Sequence, residues 1–247
     1  MRVYVVKPSR LGLIIVGLLI ALGLMLGTHR IFSSLPVVSP GPVSQVETNQ
    51  KVMALTVNVD WGEENIPAML EIFKQENVKV TFFVSGRWAK NNPDLVKRMD
   101  SEGHLVENHA YSHLHPDRIS LDENKREILR TEQVLEGITG RKTGFYAPPY
   151  GEKGSTTVRA ASELGYTTIL WTLDTIDWKA DSSAELIFQR VVNPTAKMGV
   201  KPDKRGAIVL MHPKGNTVKA LPLIIGKLKQ EGFRLVTIAE LMDSRKN

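Results

Sequence analysis

From residue 52 onward the chain alternates between two patterns. Short runs of consecutive apolar residues give way to longer stretches in which apolar positions return every three or four residues. The first pattern predicts buried strands and the second amphipathic helices. VMALTVNV (52–59), VKVTFFVSG (78–86), HLVENH (104–109), TGFYAPPYG (143–151), YTTILWTLD (166–174), GAIVLMHP (206–213) and the start of FRLVTIAEL (233–241) are of the strand kind. Between them lie helix-periodic stretches at 65–77, 92–103, 121–140, 156–165, 183–195 and 217–232. Glycines close several of these, as at Gly103, Gly140, Gly165 and Gly232, where a helix commonly ends in a left-handed turn.

Strands that alternate with helices predict an α/β domain with a mostly parallel sheet. Six or seven such units suit a closed or distorted (β/α) barrel better than an open sheet. In that architecture sites sit on loops after the C-terminal ends of strands. The polar residues of interest fall there: Asp60 after the first strand, His109 after the third, Tyr150 after the fourth, Asp174 and Asp177 after the fifth, and His212 after the sixth.

The segment before residue 51 reads differently. Residues 11–28 are uncharged and mainly apolar, and Arg2, Lys7 and Arg10 precede them. At about 1.5 Å per residue this run spans roughly 25–27 Å, at the short end of what crosses a bilayer. A positive flank predicts a cytoplasmic N-terminus (1–10), an anchor (11–28) and an extracytoplasmic remainder. A cleaved signal, giving a secreted protein, is the rival reading. Residues 29–50, rich in Pro, Ser and Val, are expected to be an extended linker. The domain is expected over 51–243.

Composition narrows the chemistry. The chain has no cysteine, which excludes disulfides, thiolate metal sites and a cysteine nucleophile. The net charge of +6 is modest, and no Lys/Arg block is interleaved with aromatics, so nucleic acid is not an expected partner. Nothing in the sequence sets an oligomeric state.

The stretch ENHAYSHLHP contains three of the six histidines. His109 and His113 are four apart and can face one metal ion if the backbone turns as a helix does; a solvated histidine turn is the plain alternative. His115 is out of phase with that pair and reads as surface. Asn58 and Asp60 share one side of the first strand's end. Asp60 can complete a two-histidine, one-carboxylate site with positions open for water, or simply cap the next helix. The prolines of APPYG stiffen a loop whose backbone N–H can face an oxyanion. Asp174 or Asp177 in TLDTIDW can orient a histidine, and His212 in VLMHP can act as a general acid. Each signal taken singly has an ordinary structural explanation.

Their order along the chain is more specific. Asp, His-x-x-x-His, Pro-Pro-Tyr-Gly, Asp-x-x-Asp-Trp and Leu-x-His resemble the polysaccharide deacetylase family with the NodB-homology domain, over residues 52–241. The resemblance implies a distorted (β/α) barrel and hydrolysis of acetyl groups on an amino-sugar polymer such as peptidoglycan or chitin-like oligomers, with zinc, cobalt or another divalent ion. It implies that His109 and His113 are two metal ligands; Asp60, the nearest carboxylate to the ligand position that Val59 occupies, can be the third. Tyr150 would offer a backbone donor, Leu210 and Trp178 would line the acetyl-methyl pocket, and His212, tuned by Asp177, would protonate the leaving amine.

Two positions depart from the family pattern. The place of the catalytic base is taken by Asn58, whose amide cannot accept a proton as a base does. Ala147 stands where an arginine often precedes Pro-Pro-Tyr. That arginine would hold the aspartate base, and a buried arginine left without it costs roughly several kcal/mol, so the two losses read as one remodelling. Asp60 or His212 can carry the proton in its stead. The alternative is a catalytically weak or inactive cell-wall glycan-binding protein on the same fold.

Overall fold

The computed structural model describes residues 41–195 and 202–246. At its centre is β1 (Val52–Val59), buried along its whole length as expected for a parallel strand covered on both faces. Its side chains alternate. Met53, Leu55, Val57 and Val59 pack outward into a core shared with helices α1 (Ile66–Gln75) and α7 (Gly215–Gln230). Ala54, Thr56 and Asn58 therefore face the concave side. This parity matters for the site: it turns Val59 into the core and leaves Asn58 facing the cleft.

All the named ladders are parallel. β2 (Thr81–Val84), β3 (Leu105–Asn108), β4 (Phe145–Tyr146) and β5 (Thr167–Thr168) follow one another away from β1, while β7 (Ala207–Met211) and β6 (Leu173–Asp174) lie on its other side. β8 (Arg234–Val236) pairs with Val52–Ala54, below the stretch of β1 that pairs with β2. The helices between strands are closed by local chemistry. Ser120 caps α4 (Leu121–Thr139), and Gly140 ends it at φ 72°. Thr237 and Glu240 form a capping box on the last helix, α8 (Ile238–Asp243).

The expected closed or distorted barrel is corrected to a curled half-barrel. The sheet path ends at β5 on one side and β6 on the other, and among the described residues no ladder joins these two. They are two-residue pieces of the single run 167–174, which pairs first with β4 and then with β7. Pro148 and Pro149 have no N–H to donate, so β4 cannot lengthen past Ala147. Residues 43–46, expected to be linker, enter this gap. Val43 bridges Ile169, Gln45 bridges Ala207, and Val43 and Val46 are buried against Ala54, Ile169, Ile208 and Ile238.

The transmembrane expectation is also corrected. Among the described residues no helix is long and apolar enough to cross a membrane, and the run 11–28 lies outside the described residues. The described residues give no basis for a membrane partner, an anchored localisation or an extracytoplasmic orientation.

Candidate active site

The strand ends open into a cleft of about 430 Å³ on the concave side. Of the residues singled out by sequence, Asn58, Asp60, His109, His113, Tyr150, Trp178, Leu210 and His212 all line it. Asp177 stands one layer back, its side chain wholly buried behind His212.

His109 follows β3 and is fixed by a hydrogen bond from Nδ1 to the carbonyl of Ala147, 2.6 Å away. That bond places the proton on Nδ1 and leaves Nε2 as an acceptor. Burial pushes the His109 pKa well below the usual histidine value, and neighbouring His113 adds to the effect. His113 is also lowered, chiefly by burial, against an opposing pull from Asp60. The two rings lie 5.0 Å apart, edge to face. The turn that brings them together is not helical. Ala110 and His113 both adopt left-handed conformations, at φ 60° and 54°. Buried Glu127 pins the loop between them, accepting from the N–H groups of Tyr111 and Ser112 and from the Ser112 hydroxyl.

The carboxylate arm is differently engaged. Asp60 Oδ1 accepts from the Ser85 hydroxyl at 2.5 Å, and both Asp60 oxygens accept from Arg87 Nη2, at 2.9 and 3.2 Å. Among the described residues no group of three or more His, Cys, Asp or Glu side chains is placed to hold a metal ion. Two imidazoles with a carboxylate already paired to arginine do not fit a three-ligand centre. Asn58 Oδ1 is buried with no hydrogen-bond partner among the described residues.

The far side of the cleft is built on β7. His212 Nδ1 faces Asp177 Oδ1 at 2.8 Å, and Asp177 Oδ2 accepts from the His212 N–H at 2.6 Å and from Thr217 Oγ1 at 2.7 Å. With Nδ1–H donated to the carboxylate, Nε2 is the atom left to the cleft. Leu210 precedes it on the same strand face. Tyr150, at φ 59°, stacks on His115 at 3.8 Å, so the histidine read as surface supports the wall of the cleft. His115 is held in turn by Glu152, 2.7 Å from its Nδ1.

Sequence reasoning missed five residues around the cleft. Trp61 stacks on His212 with ring centres 5.7 Å apart, and Lys214 Nζ lies 4.8 Å from the Trp61 ring centre. Trp171 lines the cleft beneath Gly151, where an added Cβ would meet it at 2.3 Å. Ser85 and Arg87 reach Asp60 from the turn after β2. An apolar–acid–Trp–Gly series at a strand end was the available signal for Trp61; nothing local in SGRW points to Asp60.

A curled parallel half-barrel with histidines on the β3 and β7 loops and a cleft at the strand ends defines a deacetylase-type fold. The sequence model of the polysaccharide deacetylase family matches residues 45–169, and the chain belongs to that family. It is 35% identical over 203 residues to a peptidoglycan-N-acetylglucosamine deacetylase of Bacillus cereus, covering 80% of this chain and 70% of the relative. It is 31% identical over 207 residues to YlxY, an uncharacterized protein of Bacillus subtilis, covering 83% of this chain but only 61% of that relative's length. Among solved structures, a CE4 family pseudoenzyme from Bacillus anthracis superposes with a TM-score of 0.76 at 39% identity, over 84% of this chain and 70% of that one. A mutant of that pseudoenzyme with restored enzymatic activity matches with the same TM-score at 37% identity, over 84% of this chain and 73% of that one.

Proposed function

We propose that the protein is a catalytically weak or inactive member of the family that binds an acetylated amino-sugar polymer of the peptidoglycan type. The observation that carries this reading is Asn58. It lines the cleft where the family resemblance expects the base, its amide cannot take a proton from water, and its buried oxygen has no partner among the described residues. Asp60, the nearest carboxylate, stands two residues further along the chain and is already engaged by Ser85 and Arg87. The likeness to a structurally related pseudoenzyme supports the same reading, and the deacetylase relatives support the choice of glycan.

In this reading the cleft recognises rather than cleaves. Trp61 and Trp178, both partly exposed on its rim, offer flat apolar faces to sugar rings, and Leu210 receives an acetyl methyl group. His212 Nε2 and the backbone around Tyr150 provide polar contacts to the acetamide. A second reading, residual deacetylation of the amide C–N bond, is favoured by one observation: the Asp177–His212 pair is intact and faces the cleft.

Titrating the full chain with N-acetylglucosamine oligomers and with soluble peptidoglycan fragments, followed by tryptophan fluorescence, separates the two. Parallel samples with zinc, cobalt or a chelator are assayed for released acetate. Saturable binding that ignores the chelator, with acetate no higher than in protein-free controls, is the expected result. Acetate release that requires zinc and disappears in His109→Ala overturns it.

A further inference from the structure

The pairing of Asp60 with Arg87 is more than a surface contact. Arg87 Nη2 lies within hydrogen-bond distance of both carboxylate oxygens, at 2.9 and 3.2 Å, and Ser85 Oγ takes Oδ1 at 2.5 Å. Ser85 begins α2 (Gly86–Asn91), yet its hydroxyl makes no cap bond to that helix. It is spent on Asp60 instead.

The backbone that presents these two side chains is fixed. The Ser85 N–H donates to Val59 O, at the end of β1, at 2.9 Å. The Gly86 N–H donates to Ala110 O at 2.9 Å and the Arg87 N–H to Tyr111 O at 3.0 Å. Arg87 is thus tied to the loop between His109 and His113. Gly86 allows this approach because an added Cβ would meet Tyr111 at 2.5 Å and Thr131 at 2.8 Å. The guanidinium itself remains half exposed, so the pair adds little to stability. Its effect is on what the carboxylate is free to bind.

We propose that Arg87 is the internal counter-ion of this cleft: it engages Asp60, supplies beside the imidazole pair the positive charge that a divalent ion would bring, and makes the site metal-independent. A divalent ion drawn to His109 and His113 meets a carboxylate already neutralised and a fixed cation alongside. The proposal concerns the same cleft as the glycan-binding reading but does not require glycan to occupy it.

Zinc binding to the full chain, stripped of metal and measured by competition against a chromophoric chelator, tests this directly. The wild type is expected to take up no stoichiometric zinc. Arg87→Met, which keeps bulk and removes charge, is expected to bind one zinc per chain at least about tenfold more tightly, since ligation no longer breaks charge-assisted hydrogen bonds. Adding Asp60→Asn to Arg87→Met should abolish the gain. Arg87→Lys keeps the charge without the fork and should show a smaller gain. Wild-type protein that binds one zinc as tightly as Arg87→Met overturns the proposal. Tight stoichiometric zinc in the wild type does so even if Arg87→Met fails to fold. Glycan titration of the same metal-free samples is read separately: its failure would remove the binding function and leave the counter-ion standing.

Discussion

Asp177 holds His212 at two points. One carboxylate oxygen lies 2.8 Å from the imidazole Nδ1, and the other accepts the residue's own backbone N–H at 2.6 Å and the Thr217 hydroxyl at 2.7 Å. Ring orientation and strand end are therefore set by one buried group. Asp177→Asn offers a single acceptor oxygen where three donors converge, so either one donor faces an amide N–H or the His212 ring takes the other tautomer and turns an N–H toward the cleft. The expected cost is about 2–3 kcal/mol of stability, read from denaturant unfolding. An unchanged midpoint would mean that these bonds are not all made in solution.

The parts of this arrangement that were legible in the sequence are those governed by local periodicity. Two-residue alternation in VMALTVNV sends Met53, Leu55, Val57 and Val59 to the helices, and so puts Asn58 and Asp60 toward the cleft. His109 and His113 were recognisable as a pair, but not the turn that joins them. Its two left-handed non-glycine residues persist because Glu127, fourteen positions after His113, holds the intervening N–H groups. The Asp60–Arg87 pair was hidden for a similar reason: it joins the ends of two strands, and Arg87 alone looks like ordinary surface. Six or seven strand–helix units suggested a closed or distorted barrel, and the apolar run 166–174 looks like one strand. Its division into β5 and β6 depends on residues 43–46, whose buried valines carry no periodic signal.

Gly151 tests how the floor of the cleft is built. It sits at φ 67°, and a Cβ there would come within 2.3 Å of the Trp171 ring. Gly151→Ala adds backbone strain and forces the indole to move, at an expected cost of about 1–3 kcal/mol. Tryptophan emission should shift in the folded state, because Trp171 lines the cleft. A variant with wild-type stability and emission would mean the loop relaxes without touching the indole.

Glu107 gives the fold a pH signature. Buried on β3 beside the start of β4, it accepts from the N–H groups of Gly144 and Phe145, yet burial dominates and pushes its pKa up to about 7. A carboxyl whose folded pKa lies above its unfolded value contributes stability that is full below about pH 4.5 and is lost as pH rises through 7. His104 acts in the opposite sense. Burial lowers its pKa to about 4, so its contribution is full above the unfolded value and lost as pH falls toward 4. Glu107→Gln removes the first effect and leaves the second. Relative to wild type, the variant should gain about 2–3 kcal/mol between pH 4.5 and 7, measured by denaturant unfolding across that range. A constant difference between the two proteins over the window would show that Glu107 does not titrate there.

Trp61 separates recognition from folding. Its ring stacks on His212 with an interplanar angle of 14°, Lys214 lies 4.8 Å from its centre, and 37% of the residue is exposed at the cleft mouth. An exposed indole held flat against an imidazole presents its remaining surface at little entropic cost, which suits the apolar face of a sugar ring. Trp61→Ala removes that face without opening a core cavity. Unfolding midpoints should move little. Affinity for N-acetylglucosamine oligomers should fall by roughly 3- to 10-fold, corresponding to the loss of about 0.5–1.5 kcal/mol of stacking. Trp61→Phe, which keeps a smaller ring over His212, should recover part of the loss. If both variants bind oligomers as the wild type does, the sugar does not lie over Trp61, and the rim of the cleft serves another purpose.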